Sequence, residues 1–142
     1  MDSAVTIRTA REGDLDALTD LWERATRSSH GFMDPDDVVE LRPFMRDAYL
    51  PSMVVTLAAI DAVAVGFVGA RDTHVELLYV DPPFHGRGLG RLLLAEVDAA
   101  SVEVYADNAA GVGFYRSQGF AEVLRRPTDA AGRPFPVMVL RR

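Results

Sequence analysis

Apolar residues recur along the chain with two different periods, and these periods predict the order of its elements. In segments 15–25 and 89–97 apolar residues return every three or four positions, which is typical of a helix with one buried face. In segments 53–60, 62–70 and 75–80 they form short runs rich in valine, which are typical of strands. Continued along the chain, this pattern predicts the order β-α-α-β-β-β-α-β-α-β-β.

Capping residues, prolines and glycines place the ends of these elements. Asp14 is expected to cap the first helix, Pro43 to kink or divide the second, and Asn108 to cap a late helix that ends at Gly119. We therefore expect one domain spanning residues 1–142. Its predicted class is α/β (α+β), with a mixed, mostly antiparallel sheet and helices on both faces.

Composition narrows the partners that the chain can have. It has 142 residues, no cysteine and a net charge of -6, so disulfides, thiolate metal sites and a nucleic-acid surface are not expected. Segment 53–70 is long enough to cross a membrane, but Asp61 near its middle favours two adjacent strands. The N-terminus lacks the apolar run of a signal peptide, and we expect a cytoplasmic monomer or homodimer without a membrane partner.

The strongest chemical pattern is a glycine-rich segment between the fourth strand and the third helix. It consists of His85, Gly86, Arg87, Gly88, Leu89, Gly90 and Arg91. Glycines let a ligand approach the backbone closely, and the first N–H groups of a helix have no internal partner. The helix dipole adds about half a positive charge at this end. A diphosphate fits such a site, and Arg87 and Arg91 add further charge.

Two common phosphate-binding motifs do not match this segment. The dinucleotide motif G-x-G-x-x-G fails because Gly90 comes one place too early, and the Gly-Lys-Ser/Thr of a P-loop is absent. The segment instead resembles the Arg/Gln-x-x-Gly-x-Gly/Ala motif of the GNAT superfamily of N-acetyltransferases. The match is at Gly88 and Gly90, and His85 stands where the family has Arg or Gln.

A second segment carries the same resemblance. Residues 108–120, with the sequence NAAGVGFYRSQGF, are similar to the family's later motif Asn-x-x-Ala-x-x-Phe-Tyr-x-x-x-Gly-Phe, with Gly111 in place of Ala. Through residues 29–33 (SHGFM) and 132–136 (GRPFP), the wider chain also resembles the small stand-alone bacterial members of the YjaB type. The resemblance implies acetyl-CoA as the donor, backbone pairing of Leu78 and Val80 with its pantetheine arm, and a hydrogen bond from Asn108 to the coenzyme. We expect no metal, because no pair of possible ligands has zinc spacing.

Acetyl transfer to an amine needs a proton acceptor and a proton donor. A lysine-like amine, with a pKa of about 10.4, must lose a proton before it attacks a thioester, and an acid helps the thiolate to leave. The resemblance gives the acid role to Tyr115, because a phenol keeps its proton at pH 7. Glu76 is the candidate base, and we expect it to share a strand face with Leu78 and Val80.

The histidines offer competing interpretations. His30 and His74 are alternative bases, because an imidazole titrates nearest to neutrality. His30 and Phe32 are expected to contact the substrate. His74 is predicted to lie at the surface beside Asp72, and His85 is predicted to lie near a phosphate.

The acceptor remains open at this stage. The resemblance implies direct attack in a ternary complex by a primary amine, which is either a protein lysine or a small molecule. Because His85 is atypical in the coenzyme motif and the base is not assigned, an alternative function is also considered. It is a non-catalytic acyl-CoA-binding sensor on the same fold.

Overall fold

The computed structural model describes residues 4–29 and 31–142, and a seven-stranded sheet forms the centre of this part of the chain. The strands are β1 (Val5–Thr9), β2 (Val54–Ile60), β3 (Val63–Arg71), β4 (His74–Val80), β5 (Ser101–Tyr105), β6 (Ala121–Arg126) and β7 (Val137–Arg141). The α-helices are α1 (Leu15–Ser29), α2 (Pro35–Phe44), α3 (Leu89–Glu96) and α4 (Ala109–Ser117). The element order predicted from the periodicity is confirmed.

The strand order of the sheet is β1-β2-β3-β4-β5-β7-β6, and every neighbouring pair is antiparallel except β4 with β5. These two parallel strands pair at two positions, His74 with Ser101 and Val75 with Val102. Beyond these pairs, residues 76–80 of β4 do not pair with residues 103–105 of β5. We call this opening the β4–β5 fork. The mixed, mostly antiparallel sheet is confirmed.

Helices cover both faces of the sheet. Helices α3 and α4 pack on one face, and α1 and α2 pack on the other. The first core, under α3 and α4, includes Val68, Val75, Leu93, Val102, Val112, Tyr115 and Leu140. The second core, under α1 and α2, includes Leu18, Leu21, Trp22, Leu41, Leu57, Phe67 and Leu77. Burial of these apolar side chains is the main favourable contribution to folding.

The region before α1 differs from the capping prediction. Asp14 lies at the end of a 3₁₀ turn, Glu12–Asp14, and its carboxylate accepts hydrogen bonds from the backbone N–H of Arg11 and the guanidinium of Arg8, each at 2.8 Å. These contacts lower the pKa of Asp14 to about 2, chiefly through Arg8. Asp14 therefore ties β1 to the turn that precedes the helix, instead of capping the helix itself.

Pro43 was predicted to kink or divide the second helical stretch. In the structure the stretch is not divided there. Helix α2 passes through Pro43 and continues directly into a π-helical turn, Met45–Tyr49, and a 3₁₀ turn, Leu50–Ser52. A proline removes one backbone donor and crowds the preceding turn, so the hydrogen-bond pattern changes after it. This altered turn carries Tyr49 to the edge of β4, where it becomes part of the site.

The apolar segment 53–70 is a hairpin of β2 and β3, as predicted. Its turn residues Asp61 and Ala62 have φ of 51° and 66°, the left-handed conformation that a two-residue hairpin turn requires at both positions. Within the described residues, no helix is long and apolar enough to cross a membrane.

Candidate active site

A cavity of about 530 Å³ lies at the β4–β5 fork and extends to both faces of the sheet. On one face it reaches the glycine-rich loop and the starts of α3 and α4. On the other it reaches α1, α2 and the π-helical turn. The lining residues from this second face include Trp22, Ala25, Leu41, Phe44, Met45 and Tyr49. Ligands approaching from opposite faces can therefore meet within the sheet.

The glycine-rich loop forms one end of this cavity. Gly88 precedes α3 with φ of 78° and ψ of 11°, and the first helical bond runs from the N–H of Leu92 to its carbonyl at 3.0 Å. The N–H groups of residues 89–91 therefore precede the first helical donor, Leu92, and stay available to a ligand. Gly88 and Arg91 both line the cavity here. Open N–H groups, a helix start and a guanidinium fit the diphosphate of a coenzyme A donor.

Gly90 has a packing role as well. A Cβ at this position would lie 3.1 Å from Cζ of Phe114 in α4, which is closer than ordinary contact. The glycine thus lets the start of α3 approach Phe114 of α4.

His85 and Arg87 flank this end in different ways. The Nε2 of His85 donates to the carbonyl of Val80 at 2.8 Å, and His85 lines the cavity. This position is consistent with the prediction that His85 lies near a phosphate. The guanidinium of Arg87 instead lies over the ring of Phe84, 5.1 Å from its centroid, and is not among the lining groups. The structure thus places Arg91 at the cavity and Arg87 outside its lining.

The middle of the cavity is bounded by the unpaired edges of the fork. Leu78 and Val80 both line it, and their backbones belong to the part of β4 that β5 does not pair. Backbone donors and acceptors on such an edge can pair with an extended ligand that carries amide groups. The pantetheine arm is a ligand of this kind, so the fork fits the arrangement that the sequence implies.

Asn108 caps α4, as predicted. Its Oδ1 accepts a hydrogen bond from the N–H of Gly111 at 3.1 Å, and the residue also lines the cavity. A Cβ on Gly111 would lie 2.6 Å from Nδ2 of Asn108 and 3.0 Å from Cγ2 of Val104. The glycine that departs from the family pattern therefore makes room for this folded-back cap.

Tyr115 lies on α4 with its side chain 4% exposed and facing the cavity. Its ring packs against Phe114 and Phe120, with centroid distances of 5.4 Å and 5.9 Å. Burial raises the pKa of the Tyr115 phenol above its ordinary value, so the hydroxyl keeps its proton at neutral pH. The residue is thus rigidly held and protonated, as a proton donor needs to be.

The predicted face of Glu76 is wrong, because β4 has a bulge. Gly69 pairs with Leu77 while Ala70 pairs with Val75, so Glu76 is an extra residue in β4. The bulge reverses the alternation. Leu78 and Val80 pack toward the first core, whereas Glu76 points to the opposite side, beside Tyr49.

On this side the Glu76 carboxylate lines the cavity and is 13% exposed. It accepts hydrogen bonds from the hydroxyl of Tyr49 at 3.1 Å and from Nε of Arg71 at 2.5 Å. Arg71 also donates to the carbonyl of Ser52 at 2.8 Å, which joins β3 to the turn after α2. Glu76 is therefore a fixed, ion-paired carboxylate on the side of the cavity that α1 and α2 cover.

A second carboxylate, Glu103 on β5, lines the same cavity and was missed in the sequence. It is 11% exposed, forms an ion pair with Arg126 and lies within hydrogen-bond distance of the His74 imidazole. His74 was predicted to lie at the surface beside Asp72; its side chain is partly exposed, but its partners are on β5. Its ring lies between Ser101 and Glu103, because the parallel pairing of β4 with β5 brings these residues together. The alternation of Glu103 with buried Val102 and Val104 was the available signal, but the sequence does not show which strand lies beside it.

The loop between β6 and β7 supplies a third carboxylate. Asp129 is 9% exposed, lines the cavity and accepts hydrogen bonds from the Tyr105 hydroxyl at 2.9 Å and from the N–H groups of Ala131 and Arg133. Phe32 packs edge-to-face on Tyr105, with a centroid distance of 5.5 Å, just behind the lining residues. His30, the other predicted substrate contact, lies outside the described residues.

The two ends of the cavity differ in charge. All four tyrosines of the chain line it, namely Tyr49, Tyr79, Tyr105 and Tyr115. Burial raises the pKa of each, that of Tyr79 to about 12, so they are neutral donors at pH 7. The carboxylates Glu76, Glu103 and Asp129 lie among or beside them, whereas His85 and Arg91 are at the glycine loop. In the described part of the chain, no three histidines or carboxylates lie close enough together to hold a metal ion.

Comparison with known proteins gives the same family as the two motifs. A family model described as "Acetyltransferase (GNAT) domain" matches residues 26–142. Peptidyl-lysine N-acetyltransferase YjaB of Salmonella typhimurium is 29% identical over 141 residues, covering 96% of this chain and 97% of the relative. Peptidyl-lysine N-acetyltransferase YiaC of Escherichia coli is 30% identical, covering 80% of this chain and 82% of that protein.

Solved structures agree. The solution structure of apo-form YjaB from Escherichia coli superposes with a TM-score of 0.88 at 29% identity, covering 97% of both chains. The PaiA N-acetyltransferase of Thermoplasma acidophilum, crystallised with coenzyme A, shares the fold with a TM-score of 0.75 at 17% identity, covering 98% of this chain and 99% of that one. With two motifs, a forked sheet and a matching family model over most of its length, the chain belongs to the GNAT family and is an acetyl-CoA-dependent N-acetyltransferase.

Proposed function

We propose that the chain acetylates lysine side chains of proteins, by direct attack of the ε-amine on acetyl-CoA in a ternary complex. The relatives described above are named for acetyl transfer to peptidyl lysine, which supports this acceptor class. The acidic, phenol-lined half of the cavity supports it independently, because a lysine side chain reaches the site as a cation.

The observation that carries the mechanism is the continuity of the cavity through the sheet. The glycine loop and the fork hold the donor from one face, and the amine enters from the face of α1 and α2. Two reactants held in this way need no covalent acyl-enzyme, and the absence of cysteine from the chain excludes a thiol nucleophile. Acetyl-CoA, when bound, supplies the activated thioester.

The chain's own residues would act as follows. Gly88, Arg91 and the start of α3 hold the diphosphate and so fix the position of the thioester sulfur. The Tyr115 hydroxyl gives its proton to the sulfur as the carbon–sulfur bond breaks. The carboxylates Glu76 and Glu103 face the amine and take up the proton that the ammonium loses before its nitrogen bonds to the acetyl carbon. The second proton that the nitrogen loses, after attack, replaces the one that Tyr115 gave to the sulfur, and one proton in total leaves the site.

A thiol-release assay tests this proposal directly. Because the protein has no cysteine, every thiol that forms with acetyl-CoA is coenzyme A. The acceptors are a lysine-containing peptide with a blocked N-terminus, the same peptide with lysine replaced by norleucine, and a polyamine. We expect thiol release and an acetylated lysine, seen by mass spectrometry, with the first peptide and background release with the second. Equal release with both peptides, or release only with the polyamine, would contradict a lysine acceptor.

A further inference from the structure

Behind the cavity, Glu103 is the first member of a hydrogen-bonded series that crosses from β5 to β4. Its Oε2 lies 2.5 Å from Nε2 of His74, and Nδ1 of His74 lies 2.6 Å from Oγ of Ser101. Glu103 lines the cavity, whereas His74 and Ser101 do not. The His74 side chain is 32% exposed. The series therefore connects a carboxylate on the cavity wall with an imidazole that reaches solvent.

The two carboxylates that face the amine differ in what stands behind them. The partners of Glu76 are Arg71 and Tyr49, and neither can accept a proton, since a guanidinium is always charged and the phenol is already protonated. Glu103 has Arg126 on one oxygen and the imidazole of His74 on the other. Of these four partners, the imidazole is the group that can take a proton onward.

The energetics favour this route. The ordinary pKa values are about 10.4 for a lysine ammonium, 4.3 for a glutamate and 6.5 for an imidazole, so an imidazole ordinarily holds a proton better than a lone carboxylate does. Burial lowers the pKa of His74, so its ring is neutral at pH 7 and free to accept. The charged groups that face the ring are Glu76 of β4, Glu103 of β5, Arg126 of β6 and Arg141 of β7.

We propose that His74 is a positioning residue of the acetyl transfer and that it accepts, through Glu103, the proton that the acceptor amine loses. This inference rests on the proposed function. In the first step the ammonium gives a proton to the Glu103 carboxylate and becomes the attacking amine. In the second, the proton passes from Oε2 of Glu103 to the lone pair on Nε2 of the neutral His74 ring, which carries its own proton on Nδ1 toward Oγ of Ser101, and Glu103 is again a carboxylate. The ring then releases that proton to water and is neutral again.

The test is a pH profile of kcat/KM for a lysine peptide between pH 5 and 8 with His74→Gln. The glutamine amide can hydrogen-bond to Glu103 but cannot take up a proton. We expect kcat/KM to fall about 10²-fold at pH 7. The neutral ring is the form that accepts a proton, so protonation of His74 lowers the activity of the wild type. Its kcat/KM should therefore fall as the pH drops below the lowered pKa of His74, in addition to the fall caused by protonation of the amine. In the variant, only the fall caused by protonation of the amine should remain.

Controls separate this role from a structural one. Ser101→Ala removes the other contact between the strands but leaves the imidazole, so it should keep the acid limb. Melting temperature and acetyl-CoA affinity should be the same in the His74→Gln variant and the wild type. An active wild type with an unchanged rate and profile in His74→Gln would overturn this inference alone. A wild type that binds acetyl-CoA but acetylates no lysine peptide would overturn the proposed function, and this inference with it.

Discussion

Gly88 offers the sharpest test of where the coenzyme binds. It has left-handed φ and ψ, precedes α3 and lines the cavity. A Cβ there would meet only Nη2 of Arg91, at 4.0 Å, among the described atoms outside its chain neighbours. Asparagine and aspartate tolerate the left-handed region best among residues with side chains, and both cap helices well. Gly88→Asp and Gly88→Asn should therefore both fold, and they differ by one charge.

That charge sets the size of the expected effect. A carboxylate about 5 Å from one charge of the diphosphate repels it by about 0.8 kcal/mol in water and about 3 kcal/mol at an effective dielectric constant of about 20. The new carboxylate can also pair with Arg91 three residues on and so withdraw a cation from the phosphates. We expect coenzyme A to bind Gly88→Asp from about 4-fold to a few hundredfold more weakly than Gly88→Asn.

Isothermal titration calorimetry with coenzyme A measures this difference, and thermal unfolding checks that both variants keep the fold. The comparison between the two variants cancels the effect of added bulk, because their side chains have nearly the same shape. If both variants bind coenzyme A as tightly as the wild type, the diphosphate binds at another surface, and the assignment of the glycine loop is wrong.

Three further substitutions probe the rest of the site. Tyr115→Phe should lower turnover about 10²–10⁴-fold in steady-state kinetics with little change in coenzyme affinity, and normal turnover would remove its role as the acid. Asn108→Ala deletes the acceptor for the Gly111 N–H and should cost about 0.5–2 kcal/mol of unfolding free energy in a urea titration, so a wild-type midpoint would show that the cap is dispensable. Asp129→Asn leaves the buried Tyr105 hydroxyl without its carboxylate partner and should cost about 1–3 kcal/mol. Adding Tyr105→Phe should then cost less than it does alone, and strict additivity would show that the pair is not coupled.

The sequence predicted best what is contiguous along the chain. The glycine loop and the start of α4 each occupy a single short segment, and helix starts have recognisable capping and glycine patterns. For this reason every predicted coenzyme residue except Arg87 lines one cavity. Arg87 lies outside the lining because its flexible side chain stacks on the neighbouring aromatic ring of Phe84.

Features that depend on strand neighbours were not predictable from one sequence. The face of Glu76 depends on one extra residue in β4, and a shift of one position turns a side chain to the other side of a sheet. His74 and Glu103 are 29 residues apart, and they meet only because β4 and β5 are adjacent and parallel. Asp129 is far from Tyr105 along the chain, and its burial against Tyr105 comes from the packing of the loop between β6 and β7.

The β4–β5 fork also affects how the sheet holds together. Strands β1–β4 and β5–β7 form two sub-sheets, and the ladder that joins them has two residue pairs. Bound acetyl-CoA, with its amides paired to both edges, would join these two sub-sheets. It would supply hydrogen bonds between β4 and β5 that the polypeptide does not make itself. Since any ligand that binds only the folded state stabilises it by mass action, the lifetime of this enzyme against unfolding and proteolysis would rise and fall with the supply of its own acetyl donor.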